Sequence, residues 1–250
     1  MIAALGAEGR ARLARFLASR PLLAFDIDGT LAPIVPTPEG ARIPAPLQQR
    51  LATLCARAPV AIVTGRSRAD AQRLCEFTPA WVLGNHGVEG LPGFESRTAA
   101  LAELTARWRA ALDGPDLQHA GVLVEDKRYS LSLHYRHAQD HERARAAIAQ
   151  RLAALSPAPL VIHGKCVVNV LPPGAITKGD ALRALLPVAG VGTALYAGDD
   201  DTDEHVFELP GDQVLGVRVG VRPVTGATLY VDTPADMILL VDALLADWPA

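Results

Sequence analysis

Cysteine is scarce in this chain of 250 residues: Cys55, Cys75 and Cys166 are the three present, and none belongs to a CxxC pair. An odd number at wide spacing suggests neither a zinc site nor a disulfide framework, and reads as reduced, mostly buried thiols. A basic surplus is also missing. Lysine and arginine total 24 against 27 acids, for a net charge of −3. Without that surplus nothing neutralises a nucleic-acid backbone, and without a polybasic run nothing grips an anionic membrane. No stretch is apolar enough to span a bilayer. The opening MIAALGAEGRARLARF interleaves charges with apolar residues, unlike a secretory leader. These absences set nucleic acid and membrane aside as partners and make a cytoplasmic protein the expectation.

What remains is a composition with half its residues hydrophobic and 20% charged, which suits a globular chain with a full core. Periodicity predicts a short amphipathic helix over residues 9–19, then a buried strand in PLLAFD that ends at Asp26. A polar loop, DGTLAPIVPTPEG, leads to a helix over 46–57. VAIVT at 60–64 is a second buried strand, SRADAQRLCEF opens a helix with a capping Ser67, and WVLGN is a third strand. Continuous apolar strands alternating with helices mean a parallel sheet covered on both faces.

The pattern then changes to helix, strand, strand, helix, strand, strand: residues 98–112, HAGVLVED, YSLSLHYR, 139–154, PLVIHG and CVVNVL. That order fits an antiparallel sheet with helices on one face. After LPPGA the first style returns with the helix KGDALRALLP, the strands TALYAGDD, VLGVRVG and TLYVD, and a closing helix over 235–246. The fold class expected is α/β, a Rossmann-like doubly wound parallel core with an inserted smaller α+β domain. The core takes residues 1–88 and 173–250 and the insert 89–172, with Gly/Pro-rich crossings that could hinge.

Asp26 and Asp28 in DIDGT, Thr64, and Asp199 and Asp200 in GDDDTDE all lie where core strands end, and Lys178 starts the helix after the second crossing. Ligands of open parallel sheets sit at the carboxyl ends of strands. A carboxylate set without histidine or cysteine suits Mg²⁺, which prefers oxygen and binds substrate phosphate. The ion, Lys178 and the Thr64 hydroxyl could together stabilise a phosphoryl group in transfer.

The motifs DIDGTLAPI, VTGRS, LGNHGVE, SLSLHYR, GKCVV…LPPG…KGDAL and GDDDTDE, spanning residues 22 to 207, resemble the haloacid dehalogenase superfamily of phosphohydrolases. The finer resemblance is to the trehalose-6-phosphate phosphatases. It implies Asp26 as nucleophile, Asp28 as acid and then base, and Thr64 and Lys178 on the phosphoryl oxygens. It implies Asp26, the backbone carbonyl of Asp28 and Asp199 around Mg²⁺, with Asp200 and Asp203 as accessory acids. The insert would be a cap reading the sugar through Glu125, Lys127, Arg136, Lys165 and Asn169, with Arg66, Asn85 and His86 meeting substrate from the core. Relatives commonly carry glutamate where this chain has Asn169, which leaves a sibling substrate open, such as sucrose phosphate or mannosyl-phosphoglycerate. Implied partners are the sugar-phosphate substrate and the synthase that supplies trehalose 6-phosphate, with a monomer expected rather than an obligate oligomer. Two further classes compete: a receiver domain, which is about half this length and lacks an acid at the place of Asp28, and an inactive sugar-phosphate sensor, against which the complete acid set argues.

Overall fold

A computed structural model describes residues 1–249, with the side chains of residues 38 and 95–97 outside that description. In chain order the elements are β1 (Ile2–Ala3), α1 (Ala7–Leu17), β2 (Leu22–Phe25), α2 (Ala45–Cys55), β3 (Val60–Val63), α3 (Arg68–Leu74) and β4 (Trp81–Leu83). Next come α4 (Glu95–Leu112), α5 (Pro115–His119), β5 (Leu123–Asp126), β6 (Leu131–His134), α6 (His141–Ala153), β7 (Leu160–Gly164) and β8 (Val167–Leu171). The chain closes with α7 (Lys178–Val188), β9 (Ala194–Gly198), α8 (Asp201–Phe207), β10 (Val214–Val219), β11 (Leu229–Val231) and α9 (Met237–Asp247). Two compact units result, one formed by Met1–Pro92 with Thr177–Ala250 and the other by Gly93–Ile176.

The first unit is built on a seven-stranded sheet in the order β1-β11-β10-β9-β2-β3-β4, parallel throughout. Its apolar strands are buried on both faces. Leu23, Phe25, Val60, Ile62, Leu195 and Ala197 join the cluster made with α1, α2 and α9. The alternate residues Leu22, Ala24, Ala61, Val63, Ala194 and Tyr196 are equally inaccessible on the opposite side. Period-2 geometry sends neighbours to opposite faces, so only continuous hydrophobic runs satisfy both layers. The chain leaves β2 toward β3 on one side and later returns as β9 on the other. The β2/β9 boundary is therefore the switch point, where crossovers diverge and leave a crevice beyond the strand ends.

Local chemistry sets the helix starts at that edge. Ser67 Oγ accepts from Asp70 N at 3.2 Å and begins α3. Thr177 and Asp180 bond reciprocally, each side chain to the other's backbone N–H at 3.1 Å, and begin α7 with Lys178 as its first residue. The two-residue β1, which no periodicity announces, forms because its backbone finds β11.

The second unit is an antiparallel four-stranded sheet in the order β5-β6-β8-β7. Leu131, Leu133, Val168 and Val170 pack with Trp108, Leu112, Ile148 and Leu152 of α4 and α6. The other face carries Glu125, Ser132, Asn169 and Ile162, which the strand register places in one row across all four strands. No described helix of either unit is long and apolar enough to cross a membrane.

Candidate active site

Asp26 follows β2 and Asp199 follows β9, and the adjacent strands bring the two acids together: Asp26 N donates to Ala197 O at 2.9 Å. Ligand oxygens of Asp26, Asp199 and Asp203 lie within 4.8 Å of one another. Lys178 from α7 enters the same cluster, its Nζ 2.7 Å from Asp203 Oδ1 and 3.2 Å from Asp26 Oδ1. Three separate stretches of sequence, around Asp26, Lys178 and Asp199–Asp203, thus meet at the switch point.

The members of this cluster have different surroundings. Asp203 is saturated. Its Oδ1 accepts from Lys178 and from the Tyr196 hydroxyl at 2.5 Å, and its Oδ2 accepts from the backbone N–H groups of Asp199 and Asp200 at 2.9 Å. It acts as the organiser that folds the GDDDTDE turn and fixes Lys178. Asp26 Oδ1 instead has the Lys178 ammonium at 3.2 Å but no well-formed hydrogen bond, and Asp199 Oδ1 is buried without a hydrogen-bond partner among the described residues. Burial pushes the Asp26 carboxyl up to about 7, against the pull of Lys178 and with added repulsion from Asp203 and Asp28. Burial, then repulsion from Asp26 and Asp203, raises Asp199 to about 8. Burial would depress Lys178, but Asp203 and Asp26 outweigh it and hold the ammonium charged.

A buried acid and a half-buried one, both with elevated pKa and short of hydrogen bonds, form a site that a cation would relieve. The donors are oxygen alone, which fits a hard divalent ion such as Mg²⁺ and not zinc. Asp200 caps α8 beside this group, its own carboxyl raised by burial. Gly29, at φ +74°, packs so closely on Asp199 that an added Cβ would sit 2.1 Å from its Oδ2. The DGT turn therefore rests directly on the acid of the neighbouring strand.

Asp28 points its carboxylate into a fork: Arg66 Nε and Nη2 donate to its two oxygens at 2.6 and 2.7 Å. Thr64 Oγ1 accepts from Arg66 N at 3.3 Å, so the hydroxyl that ends β3 and the Asp28 pair share one short segment. The Asn85–His86 turn braces it. Asn85 N donates to Arg66 O at 2.7 Å and His86 N to Thr64 O at 2.9 Å. Both residues hold positive φ, 49° and 59°, a cost that non-glycine residues bear where surrounding structure demands it. The His86 ring lies against Gly65, where a Cβ would come within 2.8 Å of its Cε1.

In the second unit, Glu125 Oε2 is 2.8 Å from His134 Nε2 and 3.8 Å from Lys127 Nζ. Ser132 Oγ donates to Asn169 Oδ1 at 2.8 Å, and both residues are buried. Arg136 Nη2 donates to Lys165 O at 3.2 Å, which joins those two positions at one turn.

Sequence reasoning passed over three side chains that build the site. Tyr196 faces it from the middle of β9. Arg218, buried on β10, donates to the Asp199 carbonyl and, at 2.6 Å, to Glu204. Asp70 binds Arg66 from α3. For Arg218 the available signal was an arginine inside an otherwise apolar strand, VLGVRV.

A doubly wound core with acids at the β2/β9 switch point, a Thr-Gly after β3, a lysine opening a later helix and an inserted antiparallel unit defines the haloacid dehalogenase fold of phosphohydrolases. The sequence matches the family model described as Trehalose-phosphatase over residues 24–231, and the chain belongs to that family. It is 33% identical over 232 residues to the trehalose-phosphate phosphatase of Mycobacterium avium (strain 104), an alignment covering 86% of this chain and 59% of that protein. The chain thus spans about three fifths of the length of such relatives. Among solved structures, a trehalose-6-phosphate phosphatase related protein superposes with TM-score 0.71 at 24% identity, covering 90% of this chain and 98% of that one. The C-terminal domain of the C. albicans trehalose-6-phosphate phosphatase superposes with TM-score 0.69 at 21% identity, covering 96% and 97%. At such identities the superpositions establish the fold.

Proposed function

We propose that this chain is a Mg²⁺-dependent phosphatase that hydrolyses trehalose 6-phosphate to trehalose and phosphate. The observation that carries the reading is the meeting of Asp26, Asp199 and Lys178 at the switch point, with Asp28 and Thr64 on the adjoining turns. An Asp26 carboxylate oxygen attacks phosphorus, the bond from phosphorus to the sugar oxygen breaks, and Asp28 gives its proton to the departing oxygen. Water then attacks the phosphorylated Asp26, Asp28 takes a proton from it, and the bond to Asp26 breaks to release phosphate. Lys178 and the Thr64 hydroxyl hold phosphoryl oxygens in both halves. Mg²⁺, when held by Asp26, Asp199 and the Asp28 carbonyl, supplies the charge neutralisation that lets a phosphate dianion approach these acids.

The inserted unit would supply sugar recognition, as its polar row of Glu125, Ser132 and Asn169, with Lys127 and His134 beside Glu125, supports. Rows of paired side chains on a sheet face suit hydroxyl recognition, where each orientation must be fixed. The test is phosphate release with Mg²⁺ from a panel of trehalose 6-phosphate, sucrose phosphate, mannosyl-phosphoglycerate and glucose 6-phosphate. Turnover strongest on trehalose 6-phosphate, lost in Asp26→Asn with the fold retained, is expected. Preferred turnover of another sugar phosphate would reassign the substrate, and an active Asp26→Asn would overturn the nucleophile.

A further inference from the structure

The geometry points to Arg66 as a positioning residue for Asp28, anchored from behind by Asp70. This inference rests on the phosphatase reading above and concerns how its proton carrier is held. All three nitrogens of the Arg66 guanidinium are engaged: Nε and Nη2 at 2.6 and 2.7 Å on the Asp28 oxygens, and Nη1 on Asp70 Oδ2. A planar fork that grips both oxygens of a carboxylate fixes the plane of that group as well as its place. Exposure separates the partners. The Arg66 side chain is 8% exposed and that of Asp28 42%, so the acid faces the crevice and the guanidinium lies behind it.

The clamp is itself held. Arg66 N donates to Thr64 Oγ1, Arg66 O accepts from Asn85 N, and Asp70 sits in the first turn of α3, where Arg73 Nη2 also reaches it at 2.7 Å. The chain from Asn85 through Arg66 to Asp28 connects the strained turn after β4 to the proton carrier after β2. A guanidinium committed in this way sets the direction of a carboxylate and is not spread toward incoming phosphate. Misplacing a reacting group by about an ångström costs on the order of 100-fold in rate.

The test compares the parent chain with Arg66→Met, Arg66→Lys, Asp70→Asn, Asp28→Ala and the double variant Asp28→Ala/Arg66→Met. Each is assayed with Mg²⁺ on trehalose 6-phosphate and on p-nitrophenyl phosphate. For Arg66→Met we expect kcat on the sugar phosphate to fall about 100-fold, with KM moving less than about threefold. Arg66→Lys, which keeps the charge and loses the fork, falls between the two. Asp70→Asn moves kcat in the same sense by a smaller factor. On p-nitrophenyl phosphate the nitrophenolate leaves without a proton, while hydrolysis of phosphorylated Asp26 still needs Asp28. Rapid mixing should therefore show a burst of one nitrophenolate per enzyme followed by slow turnover. In the Asp28→Ala background, removing Arg66 should cost nothing more, because its effect passes through Asp28.

A tenfold rise in KM at unchanged kcat would place the guanidinium on substrate and overturn the inference, as would a further loss in the Asp28→Ala background. If Arg66→Met does not fold, Arg66→Lys and Asp70→Asn carry the same comparison. A parent chain that releases phosphate from neither ester would overturn the phosphatase reading itself, and the inference with it.

Discussion

Lys178 Nζ donates to Asp203 Oδ1 at 2.7 Å, and neither side chain reaches solvent. The ammonium is thus fixed by an acid whose oxygens are also held by Tyr196 and the Asp199 and Asp200 amides, and it lies 3.2 Å from Asp26 Oδ1 as well. Removing one member of such a pair strands a buried charge. Lys178→Met should destabilise the metal-free protein by about 3–5 kcal/mol at neutral pH and abolish turnover. Urea unfolding reads the first effect and phosphate release the second. A variant as stable as the parent would mean the pair is not buried in solution.

Tyr196 offers a milder probe of the same organiser. Its hydroxyl gives Asp203 Oδ1 a bond of 2.5 Å inside a closed environment. Tyr196→Phe keeps the ring against Phe207 and removes the hydroxyl alone. A hydrogen bond to a charged group contributes about 1.5–3 kcal/mol, so a loss of that size is expected in urea unfolding, together with weaker Mg²⁺ binding as the Asp199 turn loosens. Unchanged stability would show that Asp203 does not depend on the tyrosine.

The raised acids give a pH dependence with a definite sign. Asp26 at about 7 and Asp199 at about 8 bind protons more tightly in the folded, metal-free protein than in the unfolded chain, where the ordinary value of 3.8 applies. Their contribution is fully present below that ordinary value and is lost as pH rises through about 7 to 8. Mg²⁺ must displace those protons, so its binding strengthens over the same window and releases protons. Melting with chelator and with Mg²⁺ should show a larger gain from the metal near pH 8.5 than near pH 5.5. An equal gain at both would rule out these acids as the ligands.

Asn169 tests sugar recognition apart from chemistry. Its amide oxygen is occupied by Ser132 Oγ, and its register places it in the row with Glu125 and Ile162. A glutamate there could accept from Ser132 with one oxygen and present the other as a charged acceptor. That difference is about 1 kcal/mol in favour of the carboxylate. Asn169→Glu should lower KM for trehalose 6-phosphate about fivefold while kcat stays within about twofold. A change confined to kcat would remove Asn169 from substrate contact.

The sequence by itself determined the alternation of buried strands and helices, because continuous apolar runs such as VAIVT suit only strands covered on both faces. It also marked the acids and the hydroxyl at strand ends, since a strand that stops in polar residues must stop at the sheet edge. Asp26, Thr64 and Asp199 were legible on those grounds, and Lys178 from the helix that follows the insert. Only the tertiary structure decided that Asp203, and not its exposed-looking neighbours, meets Asp26 and Asp199. It alone joined Arg66 to Asp28, 38 residues away, and Arg218 to the carbonyl of Asp199, 19 residues away. Strand order and register set those distances, and no local periodicity records which side chains a parallel crossover will bring side by side.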